Sequence, residues 1–325
     1  MRLKIILDCD PGHDDAIALL LAHGNPDVDL VAVTTVVGNS SLPNVTRNAL
    51  AIATVAGITG VPFAAGCDRP LLGHGETAPG IHGESGLDGP VLPPASFELD
   101  RRHAVDLIID TVLAADPGTV TLVPVGGLTN IAMAARKEPR IVERVREVVL
   151  MGGAYGPGNL TPTAEFNIAI DPEAAQIVFA QDWPVTMVGL DVTHRALADR
   201  AVQERIATLG TAPARFVLDM LEFYGGAYRD TQDFPSPPVH DACAVAYVID
   251  RAVLQVQRAP IDVELTGTLT RGMTVVDLRP FILADEEALA SCTTSVATGI
   301  DAPRLWDLLV DALERIGDPR PSPAR

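Results

Sequence analysis

Four carboxylates fall within eight residues, in the run Asp8-Cys9-Asp10-Pro11-Gly12-His13-Asp14-Asp15. Carboxylates crowded this closely repel and raise one another's pKa unless a cation sits among them. A capping role at a helix start accounts for one of Asp14 and Asp15, but not for four acids. Hard oxygen donors select Ca²⁺ or Mg²⁺ over zinc. The spacing is not that of an EF-hand loop. Nor does it match the aspartyl nucleophile motif of dehalogenase-type phosphatases, where Thr or Val would stand in place of Gly12.

Other polar groups follow apolar runs. Asn39 closes Val36-Val37-Gly38-Asn39, and a turn cap is its simplest reading. Val125-Gly126-Gly127 lets a backbone carbonyl approach a ligand or ion. Met151-Gly152-Gly153 leads to a loop carrying Asn159 and Glu165-Phe166-Asn167. Val239-His240-Asp241 lies at a helix start. Alone, His240 would be a cap or a surface group. With Asp241 beside it and a carboxylate-rich site elsewhere, it becomes a candidate for chemistry.

These groups need a scaffold that gathers them. Apolar runs at 3–9, 28–37, 61–65, 119–125, 145–151 and 185–190 read as strands. Helical spacing lies between them at 14–23, 41–57, 103–115, 128–136 and 172–180. The alternation predicts an α/β fold: an open, mostly parallel sheet flanked by helices. In such sheets ligands bind beyond the carboxyl ends of the strands, where the polar groups fall. Helices dominate after residue 195, at 198–208, 213–229 and 240–249. A small antiparallel hairpin is expected over 263–276, then a helix at 302–315 and a frayed tail at 318–325. The Gly/Pro-rich stretch 66–94 reads as a functional or mobile loop. No linker is evident, so 1–325 is expected to be a single domain.

Lys and Arg number 24 against 42 Asp and Glu, a net charge of −18. That field repels nucleic acid and anionic membrane surfaces. No apolar run is long enough to span a bilayer. The first residues read as a strand rather than a signal peptide, which points to the cytoplasm. Cys9, Cys67, Cys243 and Cys292 are scattered, with no metal spacing, and are expected as reduced thiols.

The Asp8–Asp15 run resembles the DxDPGxDD motif of nucleoside hydrolases, most closely the inosine–uridine-preferring, broad-specificity branch. The resemblance extends from Ile5 to Asp318. It includes Thr34-Thr35-Val36-Val37-Gly38-Asn39, Ile81-His82-Gly83-Glu84, Gly126-Gly127-Leu128-Thr129-Asn130, Met151-Gly152-Gly153, Ala164-Glu165-Phe166-Asn167 and Val239-His240-Asp241. It implies Ca²⁺-dependent hydrolysis of the N-glycosidic bond of ribonucleosides, giving ribose and a free base.

By that resemblance, the Ca²⁺ ligands match Asp10, Asp15, Asp241 and the backbone carbonyl of Val125. Asp10 matches the base that takes the proton of the attacking water. Asp14, Asn39, Glu165 and Asn167 match groups that hold the ribose hydroxyls, with Asn159 and Met151 close by. His240 matches the acid for the departing base, His82 is a second histidine near it, and Asp8 supports the metal site from behind. Phe166 packs against ribose or base. Tyr224 and Tyr228 share a helix face that either closes over the base by stacking or packs in the core. A homotetramer acting in nucleoside salvage is implied as well. One departure touches the base pocket: Gln232 stands where an Arg is expected. A non-catalytic nucleoside binder is the competing reading, and retention of Asp10 and His240 opposes it.

Overall fold

The structure is a computed structural model that describes residues 2–317. The expected frayed tail lies outside the described residues. Among the described residues ten strands form two sheets: β1 Leu3–Cys9, β2 Val28–Thr35, β3 Phe63–Ala65, β4 Val120–Pro124, β5 Val145–Met151, β6 Val185–Val188, β7 Leu254–Arg258, β8 Ile261–Val263, β9 Thr274–Val276 and β10 Thr294–Ile300. The main sheet has eight strands in the order β3-β2-β1-β4-β5-β6-β10-β7. Only the β10–β7 pairing is antiparallel. The expected hairpin is the β8–β9 pair, in register from Ile261↔Val276 to Val263↔Thr274.

Helices cover both faces of the main sheet. Within β1, Ile5, Leu7 and Cys9 pack into one core and Ile6 into the other. A strand buried on both sides reads as a continuous apolar run, which is why β1 and β2 were legible. Helix His13–Gly24 is apolar nearly all round, with every residue from Ala16 to Ala22 buried, and it packs against helices Asp241–Ile249 and Ala302–Gly317. That packing draws the Asp241 helix start toward the first loop. The opposite face carries helices Ala104–Ala114, Thr129–Lys137 and Pro172–Phe179.

Chain order reverses between β1 and β4: β2 and β3 lie on one side of β1, and β4, β5 and β6 on the other. Such a reversal opens a crevice beyond the carboxyl ends. The Asp10 loop follows β1, and Val125-Gly126 follows β4.

Two sheet strands, β7 and β10, have no counterpart in the expected pattern. β7 reads Leu-Gln-Val-Gln-Arg and sits at the edge with Gln255 and Arg258 exposed, so it lacks a buried-strand signature. β10, Thr-Ser-Val-Ala-Thr-Gly-Ile, is built from small residues. Among the described residues no helix is long and apolar enough to cross a membrane. All four cysteines are free, with Cys9 and Cys243 buried and Cys67 and Cys292 half-buried.

Candidate active site

A cavity of about 370 Å³ opens at this crevice. Asp14 and Asp241 line its floor, with Asn39, Val125, Met151, Asn159, Glu165, Phe166 and Asn167 around it. His82, Tyr224, Tyr228, Gln232 and His240 line the other side. Asp10 and Asp15 lie beneath, both buried. Residues spread over more than 230 positions thus meet at one place, and no Lys or Arg is among the lining residues.

The Asp10 carboxylate sits in a cradle of two glycines. A methyl on Gly38 would lie 2.0 Å from its Oδ2, and one on Gly126 would lie 2.3 Å from Oδ1. Oδ2 accepts from the Asn39 N–H at 2.6 Å, whereas Oδ1 is buried without a hydrogen-bond partner. Asp15 caps the loop, accepting from the N–H groups of Asp10 (3.0 Å) and Gly12 (2.9 Å) and from Asn39 Nδ2 (3.0 Å). Asp8 faces away and accepts from Thr34 Oγ1 (2.5 Å) and Asn130 Nδ2 (2.8 Å). It ties the end of β1 to β2 and to the helix Thr129–Lys137.

Burial, with Asp15 beside it, drives the Asp10 carboxyl well above the usual range. Asp241 is pushed up in the same way, by burial and then by Asp14 and Asp15. Burial and Asp15 bring Asp14 to about 7. A single oxygen from each of Asp14, Asp15 and Asp241 falls within 4.8 Å of the other two. This grouping differs from the expected ligand set, because it contains Asp14 where Asp10 was placed. The unpartnered Asp10 Oδ1 points to the same need for positive charge. Acidic oxygens alone, buried and lacking a protein cation, fit a hard divalent ion.

The residues expected to hold ribose are tied to one another. Glu165 caps the short helix Phe166–Ala169, accepting from the Asn167 N–H at 3.0 Å, and also accepts from the Gly153 N–H at 2.8 Å. Burial lifts its carboxyl to about 7. Asn167 Nδ2 donates to the carbonyls of Val125 (2.9 Å) and Met151 (3.2 Å). A carbonyl has two lone pairs, so Val125 keeps one free. Asn159 Oδ1 accepts from the Phe166 N–H at 2.9 Å.

On the far side, His240 is held at both ring nitrogens. Nδ1 lies 2.8 Å from Thr193 Oγ1, and Nε2 lies 2.8 Å from the Tyr228 hydroxyl. The Tyr224 and Tyr228 rings meet edge to face at 4.8 Å, and Tyr224 bonds Asp14. The Tyr228 hydroxyl thus links the tyrosine pair to His240. Both tyrosines are almost fully buried while lining the cavity, and the Tyr228 hydroxyl faces His240. Burial holds His240 down at about 3, so the ring rests neutral.

Sequence reasoning missed Thr193 and His13. Thr193 lies in an unremarkable helix turn, and only the fold brings it to His240. His13 occupies the variable position of the aspartate motif.

The inosine-uridine preferring nucleoside hydrolase family model matches residues 5–307. An inosine-uridine preferring nucleoside hydrolase from Crithidia fasciculata is 58% identical, covering 98% of this chain and 100% of that protein. A pyrimidine-specific ribonucleoside hydrolase from a Shewanella species is 43% identical over 96% of each chain. The solved structure of a purine-preferring ribonucleoside hydrolase from Gardnerella vaginalis superposes with a TM-score of 0.89 at 34% identity, covering 97% of this chain and 99% of that one. With the acidic crevice, the reversed sheet order and these relatives in agreement, the chain belongs to the inosine-uridine preferring nucleoside hydrolase family and is an enzyme of nucleoside hydrolysis.

Proposed function

We propose that this chain is a Ca²⁺-dependent ribonucleoside hydrolase, one domain over 1–325 that cleaves purine and pyrimidine ribonucleosides such as inosine and uridine. The observation that carries the reading is the two-ended cavity. Buried carboxylates without a protein cation form one end, and a neutral hydrogen-bonded histidine forms the other. Uncharged ribose suits the first end. A 5′-phosphate would meet acids and no Lys or Arg among the lining residues, so nucleosides fit better than nucleotides.

Asp10, Asp15, Asp241 and the Val125 carbonyl would hold the ion, with Asp14 within reach of the same oxygens. Bound there, Ca²⁺ supplies a weak Lewis acid that orients water and sugar hydroxyls more than it ionises them. Asp14, Asn39, Glu165 and Asn167 hold the ribose hydroxyls, with Asn159, Met151 and Phe166 shaping the wall. These contacts accelerate cleavage to the extent that they tighten as the sugar ring flattens toward an oxocarbenium ion. Asp10 accepts the proton of the attacking water as oxygen bonds to the anomeric carbon. The bond from that carbon to the base nitrogen breaks, and the base takes a proton from His240, which takes the Tyr228 hydroxyl proton in turn; the proton gained by Asp10 leaves to solvent with the products, and Tyr228 is reprotonated from solvent. The same reading places the enzyme in the cytoplasm, in nucleoside salvage, as a homotetramer.

A panel of inosine, adenosine, uridine and cytidine tests this. Ribose release is expected from inosine and from uridine, with kcat/KM values within about 100-fold of each other, the span that one altered pocket contact commands. Tight binding without product would make the chain a nucleoside binder and overturn the reading.

A further inference from the structure

Glu165 owes its orientation to a turn that cannot hold itself. Its Oε2 accepts from the Gly153 N–H at 2.8 Å and from the Ile168 N–H at 3.3 Å, and its Oε1 accepts from the Asn167 N–H at 3.0 Å. Oε1 keeps a lone pair free for a sugar hydroxyl. The donor Gly153 follows Gly152 just beyond β5 and sits at φ +74°, in the left-handed region. Two successive glycines give the chain its greatest backbone freedom, so the turn has to be fixed from outside.

Thr274, the first residue of β9, fixes it. Its Oγ1 donates to the Ala154 carbonyl at 2.6 Å and accepts from the Ala154 N–H at 2.9 Å, so one buried hydroxyl takes both backbone groups of one residue. It also sits hard against Gly153, where a methyl would lie 2.9 Å from its Oγ1 and its Cγ2. At the other end of that peptide the Leu190 N–H donates to the Gly153 carbonyl at 2.9 Å. The same hairpin reaches the other side of Glu165. A methyl on Gly272 would lie 3.0 Å from Cα of Ala169, at the end of the short helix that Glu165 caps. Thr163 Oγ1 donates to the Leu269 carbonyl at 3.2 Å. The hairpin is itself anchored: Ile261 and Val263 join the core, and the Val263 N–H donates to Gln176 Oε1 at 2.9 Å. A hairpin outside the main sheet thus bears on both segments that orient one cavity carboxylate.

We propose that Thr274 is a positioning residue for Glu165: through the Gly153–Ala154 turn it sets the angle at which that carboxylate meets one ribose hydroxyl. This rests on the ribonucleoside hydrolase reading for the identity of the ligand, though not for the geometry of the turn. Thr274 itself stands behind the lining residues. Its hydroxyl carries the role rather than its bulk, because Thr274→Val keeps the shape and leaves both Ala154 groups buried and unpaired.

The test compares kcat/KM for inosine with that for its 2′-, 3′- and 5′-deoxy analogues, in the Ca²⁺-loaded enzyme. A site built to hydrogen-bond a hydroxyl rejects the analogue that lacks it. Glu165→Gln identifies the hydroxyl that Glu165 holds, as the analogue whose discrimination from inosine collapses. In Thr274→Val the ratio for that same analogue is expected to fall about tenfold, the scale of one hydrogen bond, while the other two ratios hold. Thr274→Ser, which keeps the hydroxyl, retains the wild-type ratio. In the Glu165→Gln background Thr274→Val changes the ratio no further. A general loosening of the protein would instead lower every rate alike and leave all three ratios unchanged. That outcome overturns the proposal, as does a Thr274→Ser enzyme that behaves like the Val variant, or a Glu165→Gln enzyme with no ratio altered. If the Val variant does not fold, Thr274→Ala, which leaves room for a water beside Ala154, is read by the same ratios. Failure of the wild-type enzyme to release ribose would overturn the hydrolase reading instead, and Kd ratios for the same nucleosides by calorimetry then decide the positioning claim by the same pattern.

Discussion

Asp10→Asn is expected to lower kcat for ribose release by about 10³-fold at saturating Ca²⁺, within the range that loss of a general base commands. The cradle argues for an effect on chemistry rather than on folding. Gly38 and Gly126 leave room for a planar group of this size and no larger, and an amide has the same shape. The Asn39 N–H still finds an acceptor if the amide oxygen takes the Oδ2 position. The amide nitrogen then occupies the Oδ1 position, where the carboxylate has its unpartnered oxygen. An amide cannot take a proton from water there. Removing one of several crowded acids also relieves repulsion with Asp15, so the metal-free variant should melt no lower than the wild type. Thermal melts and steady-state kinetics on one preparation check both halves. An activity loss under tenfold would remove Asp10 from the role of base.

His240→Ala is expected to slow inosine cleavage by a similar factor, about 10³-fold, and to slow 4-nitrophenyl riboside far less. The nitrophenolate leaves without a proton, whereas the purine needs one. The ring is clamped between Thr193 Oγ1 and the Tyr228 hydroxyl, so its place is fixed before substrate arrives. Its removal also leaves the Tyr228 hydroxyl without that partner. Parallel kinetics on the two substrates read the contrast. Equal losses on both would mean that His240 supports the architecture and does not protonate the base.

What was readable in the sequence was local. Asp8 through Asp15 lie on one loop, and their crowding is visible at a glance. β1 and β2 are buried on both faces and so spell continuous apolar runs. The edge strand β7 alternates with Gln and Arg, and β10 is small-residue, so neither carries that signal. The partners of His240 were hidden for another reason. Thr193 lies 47 positions away, and nothing in its own surroundings marks it. Tyr224 and Tyr228 were visible as a shared face, but only the packed structure brings the Tyr228 hydroxyl to His240. His13 filled a position that the motif leaves open. Its pairing with His82, 69 positions on, exists only once the first loop and the Pro79–His82 turn meet. The grouping of Asp14 with Asp15 and Asp241 likewise depends on the helix Asp241–Ile249 packing beside His13–Gly24.

The central claim is that these buried acids work only with a divalent cation among them. The measurement is ribose release from inosine by protein stripped of metal with a chelator, verified metal-free, and then titrated with Ca²⁺. The account predicts that turnover falls by at least about 100-fold on stripping, the scale expected when a metal site is emptied of its ion, and returns as Ca²⁺ fills one site per chain. Undiminished turnover in the verified metal-free protein would contradict it.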